Sequence, residues 1–306
     1  MAASDGWLDR GMYPFESHYF HVPGGRIHYL DEGAGAPIVM VHGNPTWSFL
    51  YRHLISRFSP EHRCVVPDHL GFGLSDKPGE RRLHPREHAD NLSSLIDSLS
   101  LTDITMVVQD WGGPIGLSYA LARRENVKRV VIMNTWMWPV NHDPYYIAFS
   151  RFMGGATGRF LIRRANFFAR VIMRQAYGDR RKLTSKIHDH YLSPLGSPAE
   201  RTQCSVLPGE ILGSSDWLAE LWGKRAALQG MSALIVWGLS DIAFRKKELA
   251  RWVETLPDAD VVRLTDVGHF VQEEAPEELG RAMSRLLRDV PGRRHGPIGD
   301  QGAEEP

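Results

Sequence analysis

The sequence predicts an α/β protein: a mostly parallel sheet with helices on both faces and a helical insertion near its middle. Three observations carry this. Short apolar, β-branched runs recur along the chain, each ending in turn-forming or polar residues. Helical patterns lie between the early runs, and continuous apolar strands alternating with helices indicate a sheet buried on both faces. Between Asn134 and Met231 the alternation stops, and it resumes afterwards.

Taken in order, "SHYFHV" and "RIHYLDEG" flank "PGG" and read as a hairpin, which suggests an antiparallel edge. Strands are expected at "PIVMVHG" (37–43), "CVVPD" (64–68), "ITMVVQD" (104–110), "VVIMN" (130–134), "ALIVWG" (233–238) and "VVRLTD" (261–266). "WSFLYRHLISRF" and "HADNLSSLIDSL" carry apolar residues at helical spacing. "APEELGRAMSRLLRDV" opens with Pro276 and acids, as a helix start should. Residues 1–135 and 231–290 are thus expected to be two parts of one core and residues 136–230 a helical cap. Residues 291–306 are Pro/Gly-rich and polar, and are expected to form a disordered tail.

The length of 306 residues suits one large α/β domain with an insertion, or two small domains. A formal charge of zero gives nucleic acid or an anionic membrane no global attraction. Cys64 and Cys204 form no C-x-x-C pair and no disulfide framework, which fits a reducing compartment. The first twenty residues hold no continuous apolar run, and no later stretch is long enough to span a bilayer. The expectation is a soluble, cytoplasmic protein.

In "VVQDWGGPIG", Asp110 ends an apolar run and precedes a Gly112-Gly113 pair that can turn the chain sharply into the helix "PIGLSYALARR". Ligand sites in such sheets lie at the carboxyl ends of strands. The stretch resembles a nucleophile elbow with aspartate in place of serine, although Val108 stands where the general elbow has a small residue. Capping of the following helix is an alternative use of Asp110. Two distant pieces favour the nucleophile. "WGLSDIAF" places Asp241 after one strand and "DVGHFVQEEAP" places His269 after the next, in the nucleophile–acid–histidine order of α/β-hydrolases.

Aspartate changes the chemistry. A carboxylate is already ionised at neutral pH, so it can displace a leaving group from saturated carbon without a base. His269, oriented by Asp241, could then activate water to hydrolyse the resulting ester. The substrate should be an alkyl electrophile, either a carbon–halogen bond or an epoxide. Trp111 offers an indole N–H, and Asn44, directly after another strand, offers a side-chain amide. Both suit a departing halide, and the backbone N–H groups of Asn44 and Trp111 suit the oxyanion of ester hydrolysis.

At these residues the chain resembles the haloalkane dehalogenases. "HGNPTWSFLYR", "PDHLGFGLSDKP", "VVQDWGGP", "WGLSD" and "GHFVQEEAP" each look like a family motif, in family order, over about residues 14 to 290. The resemblance implies an α/β-hydrolase fold with a helical cap and neither cofactor nor metal. It implies Asp110 as nucleophile, His269 as base, Asp241 as acid, and Asn44 with Trp111 as the halide-binding pair. One branch of the family takes its acid as Glu after the "VVIMN" strand, but this chain reads "NTWMWPV" there and has no acid until Asp143. Another pairs an acid at the Asp241 position with a cap tryptophan and Glu in place of Asn44. The combination of Asn44 with Asp241 is similar to a third, smaller branch.

The substrate implied is a small apolar haloalkane, with water consumed and halide released. Trp138, Phe168 and Pro208 are candidates for its cavity, as is Phe167, and equally for cap packing. Trp138, Trp217 and Trp222 are further candidates for halide contact. Arg151, Arg159, Arg163, Arg164, Arg170 and Arg174 read as a solvated helical face, and the aromatic, arginine-rich cap offers a surface for a homo-oligomer. Gly71 and Gly73 lack the G-K-[ST] of a phosphate loop and read as a turn that Asp68 fixes by hydrogen bonds. The rival enzyme is an epoxide hydrolase with the same triad, its proton donor one of Tyr145, Tyr146, Tyr177 and Tyr191. A luciferase-type oxygenase and a non-catalytic small-molecule receptor on the same scaffold are the remaining alternatives.

Overall fold

The computed structural model describes residues 6–288. The tail assigned to residues 291–306 lies outside the described residues. The opening hairpin is formed by β1 (His18–Val22) and β2 (Gly25–Glu32), followed by β3 (Pro37–Val41), β4 (Arg63–Pro67), β5 (Ile104–Gln109), β6 (Val127–Met133), β7 (Ser232–Gly238) and β8 (Asp260–Leu264). Among the described residues these make one sheet, ordered β1-β2-β4-β3-β5-β6-β7-β8. β1 and β2 are antiparallel to each other, β2 is antiparallel to β4, and every pairing from β4 to β8 is parallel.

Alternate side chains of a strand face opposite sides of a sheet, and both sides here are apolar. Val39, Val41, Met106, Val108, Val130 and Ile132 face one buried cluster; Ile38, Met40, Val107, Val131, Leu234 and Val236 face the other. This explains why the central strands read as continuous apolar runs. α2 (Pro85–Ser98) and α3 (Gly112–Ala122) cover the first side. α1 (Arg52–Phe58) and α12 (Pro276–Arg288) cover the second. α12 buries Leu279, Ala282, Met283 and Leu286, spaced i, i+3, i+4, i+7, while its other face stays polar. Each fully buried leucine there contributes about 1.5–3 kcal/mol.

Several elements start or end away from the expected places. The run at 47–58 begins as a 3-10 turn (Ser48–Tyr51) before α1. β6 starts at Val127, three residues before the apolar run, because Val127 and Arg129 pair with Ile104 and Thr105 of β5. Asp110 leaves β5 altogether.

All regular structure between β6 and β7 is helical: α4 (Pro144–Met153), α5 (Ala156–Ala165), α6 (Met173–Ala176), α7 (Ser185–Leu192), α8 (Thr202–Gly213) and α9 (Ser215–Gly223), with short 3-10 turns and one π turn. α10 (Lys246–Thr255) and α11 (Val271–Glu274) complete the core. Gly154 and Gly209 let the end of α4 approach the backbone of α8, where a Cβ on Gly154 would strike Gly209. Among the described residues no helix is long and apolar enough to cross a membrane, and no cluster of His, Cys, Asp or Glu could hold a metal.

Candidate active site

The parallel register aligns the carboxyl ends of β3, β5 and β6, with Val41 opposite Val108 and Gln109 opposite Met133. The loops beyond these ends and those of β7 and β8 therefore converge, bringing together Asn44, Asp110, Asn134, Asp241 and His269. Asp110 sits at φ 53°, a left-handed conformation that costs an ordinary residue energy. Its N–H donates to the Asn134 carbonyl (3.1 Å), and its carbonyl accepts from the Thr135 hydroxyl (2.5 Å) and the Gly113 N–H (2.9 Å). These bonds hold the turn. A Cβ on Gly43 would collide with the Asp110 side chain, and one on Gly112 with the Val41 carbonyl, so glycine is required at both.

The Asn44 N–H donates to Asp110 Oδ1 at 2.7 Å, and the Trp111 N–H also faces the carboxylate. Oδ2 lies 3.7 Å from His269 Nε2. On the far side of the ring, His269 Nδ1 meets Asp241 Oδ2 at 2.9 Å. Asp241 is held in turn by the Asn134 amide (2.8 Å to Oδ2) and the Ala243 N–H (2.6 Å to Oδ1). Asn134 also clamps Gly238 through both its N–H and its carbonyl, which anchors the loop carrying Asp241. Burial raises the Asp110 carboxyl above its ordinary value, against the pull of His269 and the two backbone N–H groups. Burial pushes the His269 imidazole down, but Asp241, Asp110 and Glu274 outweigh it and the net shift is upward.

Above this cluster lies a small, largely apolar cavity. Its core wall includes Asn44, Asp110, Trp111, Trp136, Phe244 and His269; its cap wall includes Tyr145, Tyr146, Phe149, Phe168, Ile172 and Pro208. The π turn Phe168–Ile172 leads into α6 and presents Phe168, Ile172, Met173 and Ala176 to it. Pro208 stands inside α8 and has no N–H to offer the carbonyl four residues back, that of Cys204. That freed carbonyl accepts instead from the Asn44 amide at 3.3 Å, and Asn44 Oδ1 is buried without a partner. Among the described residues the Trp111 indole N–H, by contrast, meets no acceptor.

An aspartate on a sharp turn, a histidine and a second aspartate thus meet beneath an apolar cavity. The family model of the alpha/beta hydrolase fold matches residues 36–276. Haloalkane dehalogenase 2 of Mycobacterium tuberculosis (strain H37Rv) is 40% identical over 277 residues, spanning 90% of this chain and 96% of that protein. The chain belongs to the haloalkane dehalogenase family. The cis-3-alkyl-4-alkyloxetan-2-one decarboxylase of Shewanella oneidensis is similar too, 38% identical over 278 residues, spanning 88% of this chain and 87% of that protein. The crystal structure of haloalkane dehalogenase DbeA from Bradyrhizobium elkani superposes with a TM-score of 0.80 at 25% identity, over 89% of this chain and 98% of that one.

In this dehalogenase-family chain, Phe168 and Pro208 line the cavity but Trp138 does not. Trp138 is a correction: its ring packs edge-on against Trp222 and tilted against Trp252, inside the core. Trp217, Trp222 and Phe167 are likewise absent from the cavity wall, and the tryptophan that joins Trp111 there is Trp136. Trp136 meets Trp111 edge-on at 4.6 Å, and its N–H is buried without a partner. The sequence offered one signal for it, its place three residues after the end of β6. Asn134 gave a similar signal, a polar residue ending an apolar strand, yet its task of holding Asp241 depends on β7 lying alongside. Asp68, expected to fix the Gly71–Gly73 turn, accepts from the N–H groups of Leu74 (2.8 Å) and Ser48 (2.6 Å) and pairs with His28 (2.9 Å).

Proposed function

We propose that the chain hydrolyses haloalkanes to alcohol, halide and a proton through an ester on Asp110, beneath a cap spanning residues 136–230. One observation supports this most: an ionisable carboxylate, its Oδ1 held by the Asn44 N–H and its Oδ2 turned toward His269, lies at the floor of an apolar cavity. Oδ2, the oxygen toward His269, attacks the carbon bearing halogen. The C–O bond forms as the carbon–halogen bond breaks, and its electron pair leaves with the halide. Trp111 and Asn44 donate to that anion, and each such charge-assisted bond contributes about 1.5–3 kcal/mol.

Water then attacks the ester carbonyl carbon as His269 Nε2 takes its proton. Oδ1 becomes the oxyanion, already held by the Asn44 N–H, with the Trp111 N–H facing the same carboxyl. His269 returns its proton to the departing alcohol oxygen, and the acid proton left on Asp110 is lost to solvent. Asp241 supports the transient imidazolium. The epoxide reading needs a free cap tyrosine. Tyr145 and Tyr146 reach the cavity, but their hydroxyls donate to the carbonyls of Ile242 (2.7 Å) and Ala243 (2.9 Å). Tyr191 donates to Glu273, and Tyr177 is absent from the cavity wall.

A second reading has its own support, the 38% identity to a cis-3-alkyl-4-alkyloxetan-2-one decarboxylase. An oxetan-2-one is a strained electrophile open to the same carboxylate. Breaking its ring C4–O and C2–C3 bonds would give carbon dioxide and an alkene without consuming water. The experiment supplies the protein with 1,2-dibromoethane and 1-bromobutane, and separately with a cis-3,4-dialkyl oxetan-2-one, beside Asp110→Ala. Halide and proton release by the parent and none by the variant is the expected result. Alkene formation without halide release would move the assignment to the lactone.

A further inference from the structure

We propose that Gln109 is a positioning residue that holds His269 in its neutral form, with Nε2 unprotonated, and thereby extends turnover to lower pH. The inference rests on His269 being the base of the hydrolytic step. Gln109 is the last residue of β5, adjoins Asp110, is fully buried and does not line the cavity. Its Nε2 lies 2.7 Å from His269 Nε2 and 3.2 Å from the His269 carbonyl oxygen.

The carbonyl fixes which way the amide points. A main-chain oxygen only accepts, so the atom facing it is the NH2 group. That same nitrogen faces the ring, so His269 Nε2 must be the acceptor while Nδ1–H donates to Asp241. Gln109 Oε1, meanwhile, is buried without a partner. An orphaned buried acceptor is unfavourable, and such groups in a folded protein call for an explanation. Here the side chain gives up one bond while turning both N–H groups toward His269.

The ionisable groups that face His269 are Asp241 from the loop after β7, Asp110 from the elbow and Glu274 from α11, and every one of them favours the imidazolium. The remaining neighbours are the rings of Phe244 and Phe270. Gln109 is the donor that opposes these three acids, because protonation of Nε2 would set N–H against N–H. A base surrounded by carboxylates would otherwise be charged, and useless as a base, over more of the neutral range. During ester hydrolysis the attacking water takes the Nε2 lone pair, and the Gln109 amide remains held by the carbonyl.

The test is Gln109→Met, which keeps the length and removes both N–H groups. Its acid limb in the kcat–pH profile should move up by about one pH unit, the scale of one hydrogen bond. The His269 titration, followed by 15N NMR and assigned with His269→Gln, should move with it. A uniform loss of activity with limb and titration unmoved would reduce Gln109 to packing and overturn the proposal. Because NMR reads the ring directly, it decides the matter even if no halide is released. Should the variant not fold, the parent still answers. At about pH 8, an unprotonated, hydrogen-bonded Nε2 supports the proposal and an Nε2–H refutes it.

Discussion

His269 is asked to be charged for stability and neutral for work. Its folded value stands above the ordinary 6.5 because three acids outweigh its burial. The stability gained from the imidazolium is therefore fully present below about pH 6.5 and is lost as pH rises through the raised value. Turnover runs the other way, since only the neutral ring can take a proton from water. Across one window, then, kcat should climb while the melting-temperature advantage of the parent over His269→Gln shrinks. Paired melts and initial rates between about pH 5.5 and 8.5 check this; a constant difference in melting temperature would count against the coupling. At this scale much was legible in sequence. Asp110 closes an apolar run, and Asp241 and His269 follow two later ones, in a recognisable order. Gln109 and Asn134 did not stand out, because what they do is decided by residues 160 and 107 positions away.

Two elements show how helices act on the site from a distance. In α8, Pro208 leaves the Cys204 carbonyl free, and the Asn44 amide takes the place of the missing N–H. Pro208→Ala should restore the helical bond. Removing a proline from a helix interior is worth up to about 3 kcal/mol to the helix itself, so the variant should melt higher. Asn44 should lose its anchor, and bromide binding, followed by tryptophan fluorescence, should weaken about fivefold, the value of one ordinary hydrogen bond. Unchanged bromide binding would mean that Asn44 is placed by its own loop. The second case ties α1, α7 and α11 together. Arg52 grips Glu273 with two bonds (2.5 and 2.8 Å), lies 4.0 Å from the Phe49 ring centre, and shares its carboxylate with Tyr191 of α7. Breaking a buried pair by removing one partner leaves a charge stranded, so Glu273→Met should cost about 3–5 kcal/mol in chemical denaturation. Arg52→Met with Glu273→Met should recover much of that loss. Neither device was legible in the sequence, because each is completed by a partner 160 or 221 positions away.

At the scale of the molecule, the sheet and its helical insertion could be read from the sequence, but not which side chains of the insertion face the cavity. Strands buried on both faces announce themselves through composition alone, whereas a cap helix turns whichever face its neighbours select. Trp136 and Trp138 lie on the irregular segment between β6 and α4, which no periodicity describes, so nothing in the sequence shows that Trp136 reaches the cavity and Trp138 does not. The same packing decides how the cavity opens. Tyr145 of α4 and Ile242 of the core both line the cavity and are both exposed, at 39% and 42%, which puts them at its mouth. The Tyr145 hydroxyl donates to the Ile242 carbonyl at 2.7 Å, so a cap–core hydrogen bond spans the opening one residue beyond Asp241. Tyr146, bonded to Ala243, holds the same loop from deeper inside. Tyr145→Phe removes one hydroxyl at the rim and leaves Tyr146 to keep the Asp241 loop in place. An exposed bond of this kind contributes only about 0.5–1.5 kcal/mol, so the fold should tolerate the change and the mouth should open more readily. Long substrates gain most from a wider opening. The ratio of kcat/KM for 1-bromohexane to that for 1-bromobutane should rise several-fold in Tyr145→Phe, with the acid limb of the pH profile unmoved. If both substrates changed equally, the bond would be a support for Asp241 and the mouth would lie elsewhere along the cap.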